Sequence, residues 1–188
     1  MKTEPKLLLV DDHRLLGETL QASLGLAGLD AVVAPCATGD EILAAAKEAQ
    51  PTLVVLDLEL DAAGQGYDYI APLRALGADV VVLTGTTDRI ELARCLEAGA
   101  LGVVSKASGF ASVLDHIRRA ALGELVTPTT ERMALLTELD SHRRADERRW
   151  AKFDLLSVRE RDVLRMIVEG QQAAVIAQAS FVSLATIR

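Results

Sequence analysis

The sequence predicts a doubly wound α/β domain on a five-stranded parallel sheet, followed by a helical linker and part of an all-α unit. Three observations carry this. Five short runs are almost wholly apolar, as strands buried on both faces are: Leu7–Val10, Ala31–Ala34, Leu53–Leu56, Val80–Leu83 and Val103–Val104. Segments with helical spacing separate them, each closed by a glycine or a proline. From Glu124 onward no further run of this kind occurs and only helical spacing remains.

After the first run, Leu15, Leu16, Leu20, Leu24 and Leu26 recur at helical steps, and Gly28 offers a stop. The later helices are expected over Asp40–Ala49 before Pro51, Tyr67–Leu76 before Gly77, Asp88–Ala98 before Gly99 and Ser108–Leu122 before Gly123. Pro128 then precedes the apolar-containing stretch Glu131–Leu136 and the charge-dense Asp140–Arg149, which together read as a linker helix with a solvated face. Arg143, Arg144, Arg148 and Arg149 alternate with Asp146 and Glu147, so ion pairs along an exposed helix are favoured over a phosphate-binding patch. Past Phe153 a new periodicity runs through Leu155, Leu156, Val163, Leu164, Ile167, Val168, Ile176, Val182 and Ile187, enough for three short helices. The expected division is 1–122, 123–153 and 154–188.

Half of the 188 residues are apolar and only 3% aromatic, so aliphatic side chains must build the core. No run approaches the roughly 20 apolar residues of a membrane helix, and the start of the chain does not suit a signal peptide; a cytoplasmic protein is expected. Cys36 and Cys95 stand outside any CxxC spacing, and two thiols are favoured over a disulfide. His13, His116 and His142 are scattered, which leaves hard carboxylates and therefore Mg²⁺ or Ca²⁺ rather than zinc. Residues 1–122 hold 17 acidic against 10 basic side chains and residues 123–188 hold 10 of each, so the whole deficit of −7 lies in the first part. If either part meets DNA it is the second.

The polar residues at the strand ends are the informative ones. Asp11 and Asp12 end the first strand, Asp57 the third and Thr84 the fourth, while Lys106 follows the fifth. In an open α/β sheet, carboxyl ends of neighbouring strands converge on one crevice. Three carboxylates gathered there repel one another unless a cation neutralises them, and Mg²⁺ suits oxygen ligands while keeping several waters. An aspartate oxygen beside such an ion and a lysine ammonium is equipped to attack a phosphoryl group. Thr84 can donate its hydroxyl hydrogen to the product, and Gly85 leaves room for a donor.

In this order and strand context, Asp11-Asp12, Asp57, Thr84 and Lys106 resemble the signature of response-regulator receiver domains, over about residues 5–122. The resemblance implies a flavodoxin-like fold with Asp57 as phospho-acceptor. It further implies Mg²⁺ held by Asp11, Asp12, Asp57 and the backbone carbonyl of Glu59, with Lys106 and Thr84 on the phosphoryl group. Two departures matter. Val103 stands where receivers usually carry a Tyr or Phe that toggles with the threonine, so the usual switch is altered. The segment Leu58–Gly66 lacks the family's common Met-Pro and is longer, so an unusual loop over the site is expected.

Leu156-Ser157-Val158-Arg159-Glu160-Arg161-Asp162-Val163-Leu164 resembles the opening of a LuxR-type helix-turn-helix, and Ser157 with Glu160 has the spacing of a capping box. Receiver, linker and this segment together resemble the NarL/FixJ architecture. Ala174-Val175 and Ser180 depart from the family's Lys-Glu and leucine. Ser183 is expected to cap the recognition helix, with Ser183, Thr186 and Arg188 as its candidate DNA contacts. The sequence stops a turn or so into that helix, which reads as a fragment or a degenerate output domain, the fragment favoured. The resemblance implies a sensor histidine kinase, promoter DNA and a phosphorylation-dependent homodimer, and no turnover enzyme. Two other functions stand beside this one. A signalling protein could act through protein contacts alone. A haloacid-dehalogenase-type phosphatase would need an acid/base Asp where Glu59 stands.

Overall fold

The computed structural model describes residues 5–61, 63–180 and 183. The chain divides into two compact units, one ending at Leu139 and the other beginning at Asp140.

In the first unit the five apolar runs become β1 (Lys6–Val10), β2 (Asp30–Val33), β3 (Leu53–Asp57), β6 (Asp79–Thr84) and β7 (Gly102–Ser105). Between β3 and β6 lies a hairpin of two short strands, β4 (Glu59–Leu60) and β5 (Gly64–Gln65). The main sheet is wholly parallel in the order β2-β1-β3-β6-β7. Its helices are α1 (Arg14–Leu26), α2 (Gly39–Ala49), α3 (Tyr67–Ala75), α4 (Arg89–Glu97) and α5 (Phe110–Ala121).

Period-two alternation sorts the strand residues onto two faces. Leu8, Val10, Val54, Leu56, Val80 and Val82 pack with Ile42 and Ala46 of α2 and with Ile70 and Leu73 of α3. Leu7, Leu9, Leu53, Val55, Val81 and Leu83 pack with Leu20 and Leu24 of α1 and with Val113, Ile117 and Ala120 of α5. A strand buried on both faces has no polar alternation left to show, hence the unbroken apolar runs. The α1 reading needs one correction: Leu20 and Leu24 are buried, but Leu15 and Leu26 are 81% and 92% exposed. The apolar stripe on α1 is therefore narrower than its leucine count suggests.

The linker reading also gains detail. A single helix, α6, spans Thr129–Asp154. Its first turns belong to the first unit, where Leu135 and Leu139 are buried against Ala93 and Leu96 of α4, with Val103 of β7 alongside. Arg132 donates to the carbonyls of Leu96, Ala100 and Leu101, serving the C-terminal end of α4. Just before α6, the Thr127 hydroxyl accepts the Val103 N–H at 2.9 Å. The chain passes so close here that a Cβ on Gly102 would lie 2.7 Å from the Val126 side chain. Glycine is the residue that fits.

The second unit holds α7 (Val158–Val168) and α8 (Ala173–Ala179). The expected capping box is present: the Ser157 side chain accepts the Glu160 N–H and the Glu160 carboxylate accepts the Ser157 N–H. Gly170 separates the two helices at φ +77°. Ser180 is half-buried at the C-cap of α8 rather than a core residue. The expected third helix falls on residues outside those described, apart from Ser183, which is exposed and outside regular structure.

Candidate functional site

The sheet reverses its winding between β1 and β3, because β2 lies on one side of β1 while β3, β6 and β7 extend on the other. Loops leaving the carboxyl ends of β1 and β3 therefore part to opposite faces and leave a crevice between them. Into it come Asp11 and Asp12 from the end of β1 and Asp57 from the end of β3. Asp11 is 6% exposed and Asp57 2% exposed, whereas Asp12 is only partly covered. Lys106, at the start of the short 3₁₀ turn Lys106–Ser108, reaches across with its Nζ 2.6 Å from Asp57 Oδ2 and 3.0 Å from Asp11 Oδ2.

Burial pushes the Asp57 carboxyl above the usual carboxylate range, and the Lys106 ammonium offsets part of that push. For Lys106, burial alone would lower the pKa, but its hydrogen bond to Asp57 and its close pairing with the Asp11 carboxylate together outweigh burial and raise it, so the ammonium keeps its charge. Asp12 runs the other way. Partial burial is outweighed by the Asp61 N–H, which donates to Asp12 Oδ2 at 3.1 Å, and by His13, so its pKa is lowered.

One ammonium does not balance three carboxylates. Two buried oxygens, Asp11 Oδ2 and Asp12 Oδ1, accept no hydrogen bond of good geometry, although Lys106 and His13 stand near them. Ligand atoms of Asp11, Asp12, His13 and Asp57 all lie within 4.8 Å of one another. Orphaned acceptors and hard carboxylate oxygens at this spacing fit an oxygen-seeking divalent cation. His13 was set aside as a scattered histidine in the sequence reading, and the structure corrects that. Its Nδ1 lies 2.9 Å from Asp12 Oδ1 and 3.3 Å from Asp11 Oδ1. Adjacency to the Asp pair was the available signal.

Thr84 ends β6, the strand next to Asp57, and is buried; its hydroxyl accepts the Thr86 N–H at 3.0 Å. Glu59 donates its backbone N–H to Asp57 Oδ1 at 3.3 Å from the first residue of β4. The unusual segment after Asp57 is thus the β4–β5 hairpin. It closes back on Asp57 so tightly that a Cβ on Gly66 would lie 1.9 Å from the Asp57 carbonyl oxygen. Both cysteines are free thiols. Ser183 belongs to the second unit, and Thr186 and Arg188 lie outside the described residues. Among the described residues no helix is long and apolar enough to cross a membrane.

Comparison with known proteins agrees with this geometry. The family model described as response regulator receiver domain matches residues 7–118, and that for bacterial regulatory proteins of the luxR family matches residues 154–188. The chain is 29% identical over 190 residues to a nitrate/nitrite response regulator protein homolog of Haemophilus influenzae, covering 100% of this chain and 87% of the relative. It is 27% identical over 184 residues to the nitrate/nitrite response regulator protein NarL of Escherichia coli, covering 97% and 83% respectively. A crystal structure of a LuxR-family two-component response regulator from Aurantimonas superposes with a TM-score of 0.59 at 25% identity, covering 75% of this chain and 99% of that one. With a receiver model spanning more than half the chain and a LuxR-type model following it, the chain belongs to the two-component response regulators of the NarL/FixJ type, which control transcription.

Proposed function

We propose that this response regulator accepts a phosphoryl group on Asp57 from the phosphohistidine of a sensor kinase and passes the signal to promoter DNA as a cytoplasmic, phosphorylation-dependent homodimer. The observation that carries the reading is the contact of Lys106 Nζ with Asp57 Oδ2 at 2.6 Å, inside a crevice where Asp11 Oδ2 and Asp12 Oδ1 accept no hydrogen bond. Asp57 would attack phosphorus in line. The new O–P bond forms as the donor's N–P bond breaks, and the imidazole nitrogen leaves with the electron pair. Lys106 would turn from the carboxylate to an equatorial phosphoryl oxygen, and the Thr84 hydroxyl would donate to another. Asp11, Asp12, Asp57 and the Glu59 carbonyl would hold Mg²⁺, which when bound supplies a compact divalent charge against the phosphoryl oxygens.

The roles divide along the chain: residues 1–122 receive the signal, 123–153 link and 154–188 open the DNA-binding domain. Ser183, Thr186 and Arg188 would meet DNA. The family is regulatory, and the acceptor is proposed as a switch without turnover of a separate substrate. Val103 carries no ring: its side chain packs against the cluster of Ala93, Leu96, Leu135 and Leu139, and its backbone N–H donates to the Thr127 hydroxyl. Coupling of the acceptor to the linker would run through these groups.

The test is intact mass after incubation with acetyl phosphate and Mg²⁺. One phosphoryl group is expected on the wild-type chain and none on Asp57→Asn. Wild-type labelling of that variant, or labelling unchanged by a chelator, overturns the acceptor or the metal assignment.

A further inference from the structure

The β4–β5 hairpin stands where the sequence reading expected an unusual loop, and one side chain outside the carboxylate cluster holds it. The Tyr69 hydroxyl, on the first turn of α3, donates to the Ala63 carbonyl at 2.6 Å. Its ring is half-buried against the core face formed by α2 and α3. The start of α2 confines the same hydroxyl from the other side: a Cβ on Gly39 would lie 2.4 Å from it. The chain just before that anchor serves the site. Glu59 N–H reaches Asp57 Oδ1 at 3.3 Å, and Asp61 N–H reaches Asp12 Oδ2 at 3.1 Å. At its far end Gly66 donates its N–H to the Leu58 carbonyl at 2.8 Å, closing the loop.

A two-residue ladder of this kind has too little pairing to hold itself in water. Its backbone amides can be aimed at two carboxylates only if something outside the ladder fixes it. The Tyr69 hydroxyl is a donor whose half-buried ring packs against the core, and Ala63 sits between the amide that meets Asp12 and the glycine that turns the chain. We propose that Tyr69 is a positioning residue of the phosphoacceptor site: through Ala63 it holds the hairpin so that the Asp61 N–H stays on Asp12, setting the affinity of the crevice for its divalent cation. The proposal rests on the metal-assisted phosphoryl-transfer reading and adds to it a residue that touches none of the reacting atoms.

The experiment is an NMR titration of the full chain with Mg²⁺ alone, following the amide signals of Glu59 and Asp61, in wild type and Tyr69→Phe. Phenylalanine keeps the ring in place and removes only the donor. The variant is expected to need about 2- to 10-fold more Mg²⁺ for half-saturation, the range one hydrogen bond spans. Amide signals in β1 and β6 should stay at their wild-type positions. In acetyl phosphate assays the Mg²⁺ concentration for half-maximal rate should rise by the same factor, while the limiting rate at saturating Mg²⁺ stays within about twofold. Gly39→Ala, whose methyl displaces the hydroxyl, is expected to reproduce the shift. Unchanged Mg²⁺ affinity in Tyr69→Phe overturns the proposal. So does a loss that comes with displaced core signals, since that is a packing defect. Phosphorylation of Asp57→Asn would instead defeat the acceptor reading and leave the Mg²⁺ titration to decide Tyr69 alone.

Discussion

Helices α2 and α7 begin with the same device and then differ. Thr38 and Glu41 form a full capping box at the start of α2, and Ser157 and Glu160 form one at the start of α7. Each has an acidic residue in its first turn and a basic one in its last, and the two helices are equally long at 11 residues. Yet α2 sets Ile42 and Ala46 into the core at 0% and 2% exposure, while no residue of α7 is buried. Val158, Ile167 and Val168 of α7 are exposed. Local sequence therefore starts a helix equally well in both places, but of the two only α2 buries side chains of its own. Most helical stability comes from packing one face, because a helix this short is marginal alone. The carboxylate crevice lies at the strand ends of the parallel sheet.

The largest effect should come from chemistry inside that fixed core. Burial pushes the Cys95 thiol up to about 12, with the Glu91 carboxylate adding to it, while Cys36 is only partly covered. At pH 8 a thiol of ordinary pKa is partly ionised, and Cys95 would hold about a thousandth of that thiolate. Cys36 is raised as well, by partial burial and by the Asp12 and Asp11 carboxylates, so disulfide-exchange reagents should modify it more slowly than an ordinary thiol but before Cys95, which should react only on unfolding. The same shift has a stability consequence with a definite sign. Above pH 9 the unfolded chain releases a proton that the folded chain retains, so this group's contribution falls as pH climbs from 9 towards 12. Equal labelling rates at pH 8 would show that the core of the first unit opens freely. Next in size is truncation. Ile42→Ala should cost about 2–5 kcal/mol in urea unfolding, as fully buried aliphatic side chains do. Leu164→Ala, at a half-buried position of α7, should cost less than about 1.5 kcal/mol. Equal losses would mean that α7 has a packing surface of its own.

The sheet and the carboxylates were legible because burial on both faces leaves bare apolar runs, and because Asp11, Asp12 and Asp57 stand where those runs end. Periodicity alone gave no face, so Leu15 and Leu26 joined the α1 stripe although both point to water. The β4–β5 hairpin was legible only as an odd loop: strands of two residues carry no alternation, and its service to Asp12 is a backbone N–H that any residue owns. The docking of the linker escaped for the same reason. Thr127 is a buried hydroxyl meeting a backbone N–H, and Arg132 meets three carbonyls, neither of which leaves a sequence period. The helix-turn-helix opening was legible in its capping box.

Those two boxes provide the smallest and most discriminating change. Replacing an N-cap hydroxyl by a methyl leaves one helix N–H unsatisfied and typically costs about 1 kcal/mol. Thr38→Ala and Ser157→Ala remove the same kind of bond: the Thr38 oxygen accepts the Glu41 N–H at 3.3 Å, and the Ser157 oxygen accepts the Glu160 N–H at 3.4 Å. In α2 the buried Ile42 and Ala46 hold the helix whether or not it is capped, so Thr38→Ala should lower global stability by about 1 kcal/mol and leave α2 fully helical. In α7 no buried residue stands behind the cap, so the same loss should appear locally. Amide exchange across Val158–Val168 should speed up about fivefold in Ser157→Ala, the factor that about 1 kcal/mol represents, while exchange in β1 and β3 is unchanged. The Glu160 carboxylate, held below its usual range by the Ser157 hydroxyl and N–H, is a second reporter, and its titration should move back up in the variant. If Ser157→Ala instead speeds no exchange locally and lowers the stability of the sheet, α7 is anchored as α2 is, and the contrast between the two helices fails.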